Sequence, residues 1–157
     1  MNIIFSLIVA LFLLDELTSF DIKNQNLKSL IYYGFLIGAP LCLIGNAILI
    51  RHIKWKIIAE ILPVAGLILI LATGPIKIVF ASAAWQTQTI MYQHGHLSSK
   101  KVEFQIQSVG AHGWNKRTVE VYYLTPLLMI TSKVPDDIDK NVEWTRVNQD
   151  INEAGLK

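Results

Sequence analysis

IYYGFLIGAPLCLIGNAILI, Ile31 to Ile50, is a run of twenty residues without a charge. As a helix it measures about 30 Å, the thickness of a hydrocarbon core. A water-soluble fold rarely has room to bury such a segment, so the run points to a chain with a membrane part. Tyr32 and Tyr33 suit a headgroup region at one end. RHIKWK, Arg51 to Lys56, follows at once and reads as a tight, basic interfacial loop. A second apolar run starts at Ile57 and holds one acid, Glu60, and two prolines, Pro63 and Pro75. Continued as helix to Trp85 it would reach about 45 Å, more than a bilayer core. The span is therefore expected near 57–75, with 76–85 as an interfacial segment and Lys77 snorkelling outward.

The N-terminal run Asn2 to Leu14 is short for a span, about 20 Å of helix. It lacks the positive n-region and the small-residue cleavage site of a signal peptide. A short first span near 2–17 is the better reading, with Asp15 and Glu16 at its exit. The expected layout is thus an integral membrane α-helical part of about three spans (residues 1–85), followed by a small C-terminal antiparallel β domain (residues 86–157), α+β overall.

Charge supports the division. Residues 1–85 carry four acids (Asp15, Glu16, Asp21, Glu60) and six bases, whereas residues 86–157 carry eight of each. The second half has no concentrated basic face of the kind nucleic acid requires. The only cysteine, Cys42, lies inside the apolar run, so no internal disulfide exists and no oxidising compartment is implied. Three Lys/Arg in Arg51 to Lys56, against two in the loop Asp15 to Ser29, place the second loop in the cytoplasm by the positive-inside rule. The C-terminal part is then extracytoplasmic, on a plasma or inner membrane.

Within the spans, Gly34-x-x-x-Gly38, continued on the same face by Cys42, permits close helix approach. Self-packing of the spans is the plain reading. A homo-oligomer or a partner helix is the sharper one. Asn46 suits an interhelical hydrogen bond. Glu60 lies one turn into its span, where an ionisable group is a functional candidate. The plain reading pairs it with Lys56 or Arg51 at the interface. The sharp reading centres an oligomeric channel or transporter subunit on Asn46 and Glu60.

In the second half, residues 86–93 have strand character, and His94-Gly95-His96 reads as a turn. Val102, Phe104 and Ile106 alternate with Glu103, Gln105 and Gln107, the pattern of a half-buried strand. Val119, Val121 and Tyr123 alternate likewise. Residues 127–132 and 142–147 read as further strands, with a polar turn around Asp136, Asp137 and Asp139 and a frayed or helical tail after them. Five short strands suggest a small sandwich or partial barrel. This layout of spans and a small β domain resembles that of NfeD-like membrane proteins, in architecture alone, and implies no function or site residue.

Gly110 and Gly113 bracket a bend that leads to Trp114, Asn115, Lys116 and Arg117. Glycines suit a hairpin tip. With His112, Trp114, Asn115, Lys116 and Arg117 the tip suits contact with a protein partner or with headgroups, the ring entering the interface and the bases meeting phosphates. His94, His96 and His112 could supply three imidazoles to a metal in an enzyme or sensor, but no H-E-x-x-H or cysteine set accompanies them. Nucleophile-elbow, phosphate-loop and dinucleotide fingerprints are absent from the sequence. The expected function is a membrane-anchored accessory or binding protein that needs no cofactor.

Overall fold

The structure, a computed structural model, describes residues 2–135 and 137–156. The order is α1 (Asn2–Leu17), β1 (Phe20–Ile22), α2 (Gln25–Leu49), α3 (Ile53–Thr73) and α4 (Pro75–Ala81). Five strands follow: β2 (Gln86–His94), β3 (Lys100–Ser108), β4 (Trp114–Thr125), β5 (Leu128–Ser132) and β6 (Trp144–Asp150). Among the described residues all six strands form one antiparallel sheet in the order β1-β5-β4-β3-β2-β6. The fold is α+β.

Two helices, α2 and α3, are long and apolar enough to cross a membrane. The sixteen residues of α1 reach only about 24 Å. Asn24 caps α2, its side chain accepting from the Leu27 N–H at 2.9 Å. Gly74 ends α3 at φ 90, a conformation that costs glycine little, and Pro75 opens α4 at a position where its missing N–H is not needed.

α1 runs antiparallel along α2. Phe5 lies over Gly38 and Ile8 over Gly34 at one end, and Phe12 stacks on Phe35 at 4.2 Å toward the other. A Cβ on Gly38 would fall 2.9 Å from the Phe5 ring, so the small-residue face is where α1 rests. Cys42 is buried in the same helical core. Ile22 of β1 joins that core beside Phe12, Ile31, Phe35 and Ile78, so sheet and helices share one packed interior.

The strands form one sheet rather than the two of a sandwich, and Lys23 beside β1 reaches Thr87 of β2 and Glu153 beyond β6, so the two edges of the sheet approach each other. Its face bearing Glu103, Gln105 and Gln107 meets β1 and the link that follows α4. Those three residues are buried, and Val102 and Ile106 are buried on the other face. β3 is thus covered on both sides, and the polar set of an alternating strand became interior because each member finds a hydrogen-bond partner. β1 was absent from the expected strand set, and it takes the sheet into residues 20–22. The last strand starts at Trp144 and runs to Asp150, where a tail was expected. In the polar turn, Ile138–Lys140 forms a 3-10 turn with Ile138 buried, and Asp136 lies outside the described residues.

Candidate functional site

Charged side chains gather where α1 ends, α2 begins and the sheet meets both. Asp15, in the last turn of α1, is the anchor. Its Oδ1 accepts the Ile22 N–H at 2.7 Å. Its Oδ2 accepts the Tyr32 hydroxyl at 2.5 Å and the Lys28 ammonium at 2.9 Å. The side chains of Asp15 and Lys28 are 1% and 4% exposed. A buried pair of this kind is tolerable only when its remaining valences are met, as the Ile22 and Tyr32 donors do for the carboxylate. Lys28 and Tyr32 fall four residues apart on α2, so both point at α1.

Asp21 is the second carboxylate. Strand pairing opposite Met129 turns it to the inner face. Its Oδ2 accepts Arg117 Nη2 at 2.7 Å and the Thr131 hydroxyl at 3.3 Å, and Lys28 stands 3.9 Å from Oδ1. Arg117 sits opposite Gln105 in the β3–β4 pair and donates from Nε to Gln105 Oε1 at 2.9 Å. Its guanidinium carbon lies 4.0 Å from the centroid of the Trp85 ring, a cation–π contact.

Gln105 passes the network on, donating to Glu103 Oε2 at 2.9 Å. Glu103 is 1% exposed and also accepts from Thr87 at 2.7 Å and Tyr123 at 2.9 Å. Burial, and then the Glu103 charge, push the Tyr123 phenol above its ordinary value, which keeps it a neutral donor. Lys23 closes the series, donating to Thr87 at 2.6 Å and to Glu153 at 2.6 Å. One polar chain therefore runs from Glu16 to Glu153 across the junction.

A cavity of about 280 Å3 opens at the Asp15 end of this chain. Its lining holds three carboxylates (Asp15, Glu16, Asp21) and two cations (Lys28, Arg117), a balance of −1. Glu16 is exposed and accepts the Tyr32 hydroxyl at 2.8 Å. Among the described residues it has no cationic partner within ion-pair distance. The arrangement can hold a small polar group by complementary charge and hydrogen bonds.

The residues singled out by sequence are distributed otherwise. β4 starts at Trp114, so Trp114, Asn115, Lys116 and Arg117 are strand residues paired with Ser108, Gln107, Ile106 and Gln105, and the loop is confined to 109–113. Gly110 and Gly113 take φ 63 and φ 96 there, as a tight bend requires. Trp114 and Lys116 remain exposed. Asn115 donates to Gln107 at 3.3 Å, and Arg117 is turned inward, so the reading of Arg117 as a surface contact is corrected by its partners Asp21 and Gln105.

His94 and His96 lie with rings 6.1 Å apart beyond one end of β3, and His94 stands 3.5 Å from Glu143. His112 lies beyond the other end, about 25 Å away along the strand. The three imidazoles are not brought together, and the described residues contain no other three-residue His, Cys, Asp or Glu grouping fit for a metal. Asn46 donates to the Ala59 carbonyl at 3.1 Å, joining α2 to α3. Glu60 does not pair with Lys56: that ammonium donates to the Ala47 carbonyl at 3.0 Å, in the last turn of α2, where carbonyls lack helical donors. Glu60 Oε2 is buried without a hydrogen-bond partner.

Sequence reasoning placed Asp15 and Glu16 at a helix exit but did not join them to Asp21, Lys28, Tyr32 or Arg117. The available signal is the polar strip Glu103, Gln105, Gln107 set against five charges from Asp15 to Lys28. Comparison with family models, curated proteins and solved structures finds no match to the chain, and the likeness in layout noted above assigns it to no family.

Proposed function

We propose that the protein is a membrane-anchored binding protein whose sheet is held against the bilayer surface and touches it through the end of the β3–β4 hairpin. The observation that carries this reading is the seat of the hairpin on α4. His112 lies edge-on to Phe80 at 5.9 Å, and a Cβ on Gly110 would fall 3.2 Å from the same ring. α4 follows α3 through the single residue Gly74. The hairpin end therefore sits where α3 would leave the apolar layer. Trp114, Lys116 and the α4 residues Ile76, Lys77 and Val79 are all exposed there. An aromatic ring and a base near the hairpin end, with a base and aliphatic side chains on α4, suit headgroups and the upper acyl chains.

α3 supports the membrane part of the reading. Only 17% of its apolar window is buried within the protein. A helix apolar all round, with so little covered, belongs in an apolar medium. α1 acts as a short third span that rests on the Gly34–Gly38 face of α2. The basic run Arg51 to Lys56, whose last four residues open α3 where a loop is expected from sequence, lies at the far end of α2 from the sheet, about 37 Å away along the helix. By the positive-inside rule the sheet is then extracytoplasmic.

The test uses Trp114 as the sole tryptophan, with Trp55, Trp85 and Trp144 replaced by Phe, in reconstituted vesicles. Lipids brominated at shallow acyl positions are expected to quench Trp114 more strongly than aqueous iodide does. Full quenching by iodide, with none by brominated lipid, overturns the contact.

A further inference from the structure

We propose that the cavity between α1, α2 and the sheet binds a zwitterion made of a primary ammonium and a phosphodiester, the chemistry of an ethanolamine phospholipid headgroup or of its water-soluble fragment. The proposal rests on the membrane reading above for its lipid source and on the cavity alone for its chemistry.

Size comes first. At about 280 Å3 the space lies just below the range that takes drug-sized molecules. It accepts a headgroup and excludes a diacyl body, which would stay among the apolar side chains outside.

The charges are sorted to two sides. On one side is Glu16, the lining carboxylate without a cation. Beside it the Tyr32 hydroxyl, with a single proton, stands 2.5 Å from Asp15 and 2.8 Å from Glu16. Both carboxylates draw on that one donor. Asp15 has Lys28 and the Ile22 N–H in addition, whereas among the described residues Glu16 has the Tyr32 donor alone. A primary ammonium brings three N–H donors and one positive charge to that spot. A quaternary ammonium brings the charge and no donor.

On the other side is Arg117. Its Nε and Nη2 are used by Gln105 and Asp21, and among the described residues Nη1 has no hydrogen-bond acceptor. Those two hydrogen bonds, with the Trp85 ring at 4.0 Å, hold the guanidinium in place before anything binds. A phosphate oxygen is the natural acceptor for the Nη1 edge. Because Asp21 already offsets the Arg117 charge, the phosphodiester gains a directed hydrogen bond more than net attraction, and the ammonium supplies the charge match.

Position agrees with the lipid source. Glu16 lies at the end of α1 and Tyr32 near the start of α2, a helix long and apolar enough to cross a membrane. In the membrane reading both stand at headgroup depth.

The experiment compares thermal unfolding in nanodiscs of phosphatidylcholine alone and of phosphatidylcholine with phosphatidylethanolamine. In parallel, glycerophosphoethanolamine and glycerophosphocholine are added to the protein in a lipid-free detergent. Phosphatidylethanolamine is expected to raise Tm by about 2–4 °C, and Glu16→Gln, an exposed substitution, to remove that increment. An equal increment in Glu16→Gln would assign the shift to bulk bilayer properties and overturn the site. A shift with glycerophosphoethanolamine but none with the lipid supports the site and gives it the soluble source. No shift in either arm overturns the proposal, and it does so whether or not Trp114 is quenched by brominated lipid.

Discussion

Arg117 serves three partners with one guanidinium, and they come from three parts of the chain. Asp21 lies between the first two helices, Trp85 follows the last helix, and Gln105 is on the neighbouring strand. Losing the side chain leaves Asp21 buried, with Lys28 at 3.9 Å as its remaining cation. Arg117→Met is therefore expected to lower stability by about 3–5 kcal/mol, the range for breaking a buried pair from one side. Denaturant titration of the reconstituted protein reads it. Adding Asp21→Asn should return part of the loss, because the stranded charge is then removed. A single variant within 1 kcal/mol of the parent would mean that the pair is solvated, and the junction looser than its distances suggest.

At the scale of elements, α1 depends on two glycines that are not its own. Ile8 and Phe5 occupy the space that side chains at Gly34 and Gly38 would fill. Gly38→Val should force the Phe5 ring off α2, at a cost of about 1–3 kcal/mol for overpacking, while Gly74, with nothing within 4 Å, lacks this constraint. Proteolysis from the N-terminus checks it: α1 should become cleavable in Gly38→Val well below the unfolding temperature, and equal resistance would count against the packing.

The two long apolar helices and five of the strands are legible in the sequence because each carries its own pattern, twenty uncharged residues for α2 and strict alternation for β3 and β4. β1 was not legible. Three residues, Phe20–Ile22, are too few to show a period, and their strand exists only because Leu128–Ile130 pairs with them. The burial of β3 was misread for a related reason. Alternation separates Glu103, Gln105 and Gln107 from Val102 and Ile106, but it does not say that the polar side is dry. That depends on Thr87, Tyr123 and Arg117, which arrive from other strands. Arg117 reads as a loop residue in the sequence because Gly110 and Gly113 mark a bend, and nothing local shows that the bend closes at Gly113.

For the molecule as a whole, the network decides whether the chain is one folding unit or two. A boundary after Trp85 looks natural by composition, since charge density changes there. The contacts cross it. Asp21 holds Arg117, and Lys23 holds Thr87 and Glu153. Lys23 and Asn24 donate backbone N–H groups to the Leu127 carbonyl, and Gln107 donates to the Ala83 carbonyl. A fragment of residues 86–157 keeps β2 to β6 but loses the helices and β1. Glu103, Gln105 and Arg117 would then meet water, and Val121 and Met129, both fully buried in the whole chain, would lose part of their cover. A sheet of about seventy residues is marginal even with its core complete. The fragment is therefore expected to lack a cooperative thermal transition and to show rapid amide exchange in β3 and β4. The whole chain should unfold in a single transition, with those amides among the slowest. Sharp, independent unfolding of the fragment would show that the sheet stands by itself and that the charged junction only orients it on the helices. Failure of the fragment, with one transition in the full chain, would make the junction the place where helices and sheet are folded together.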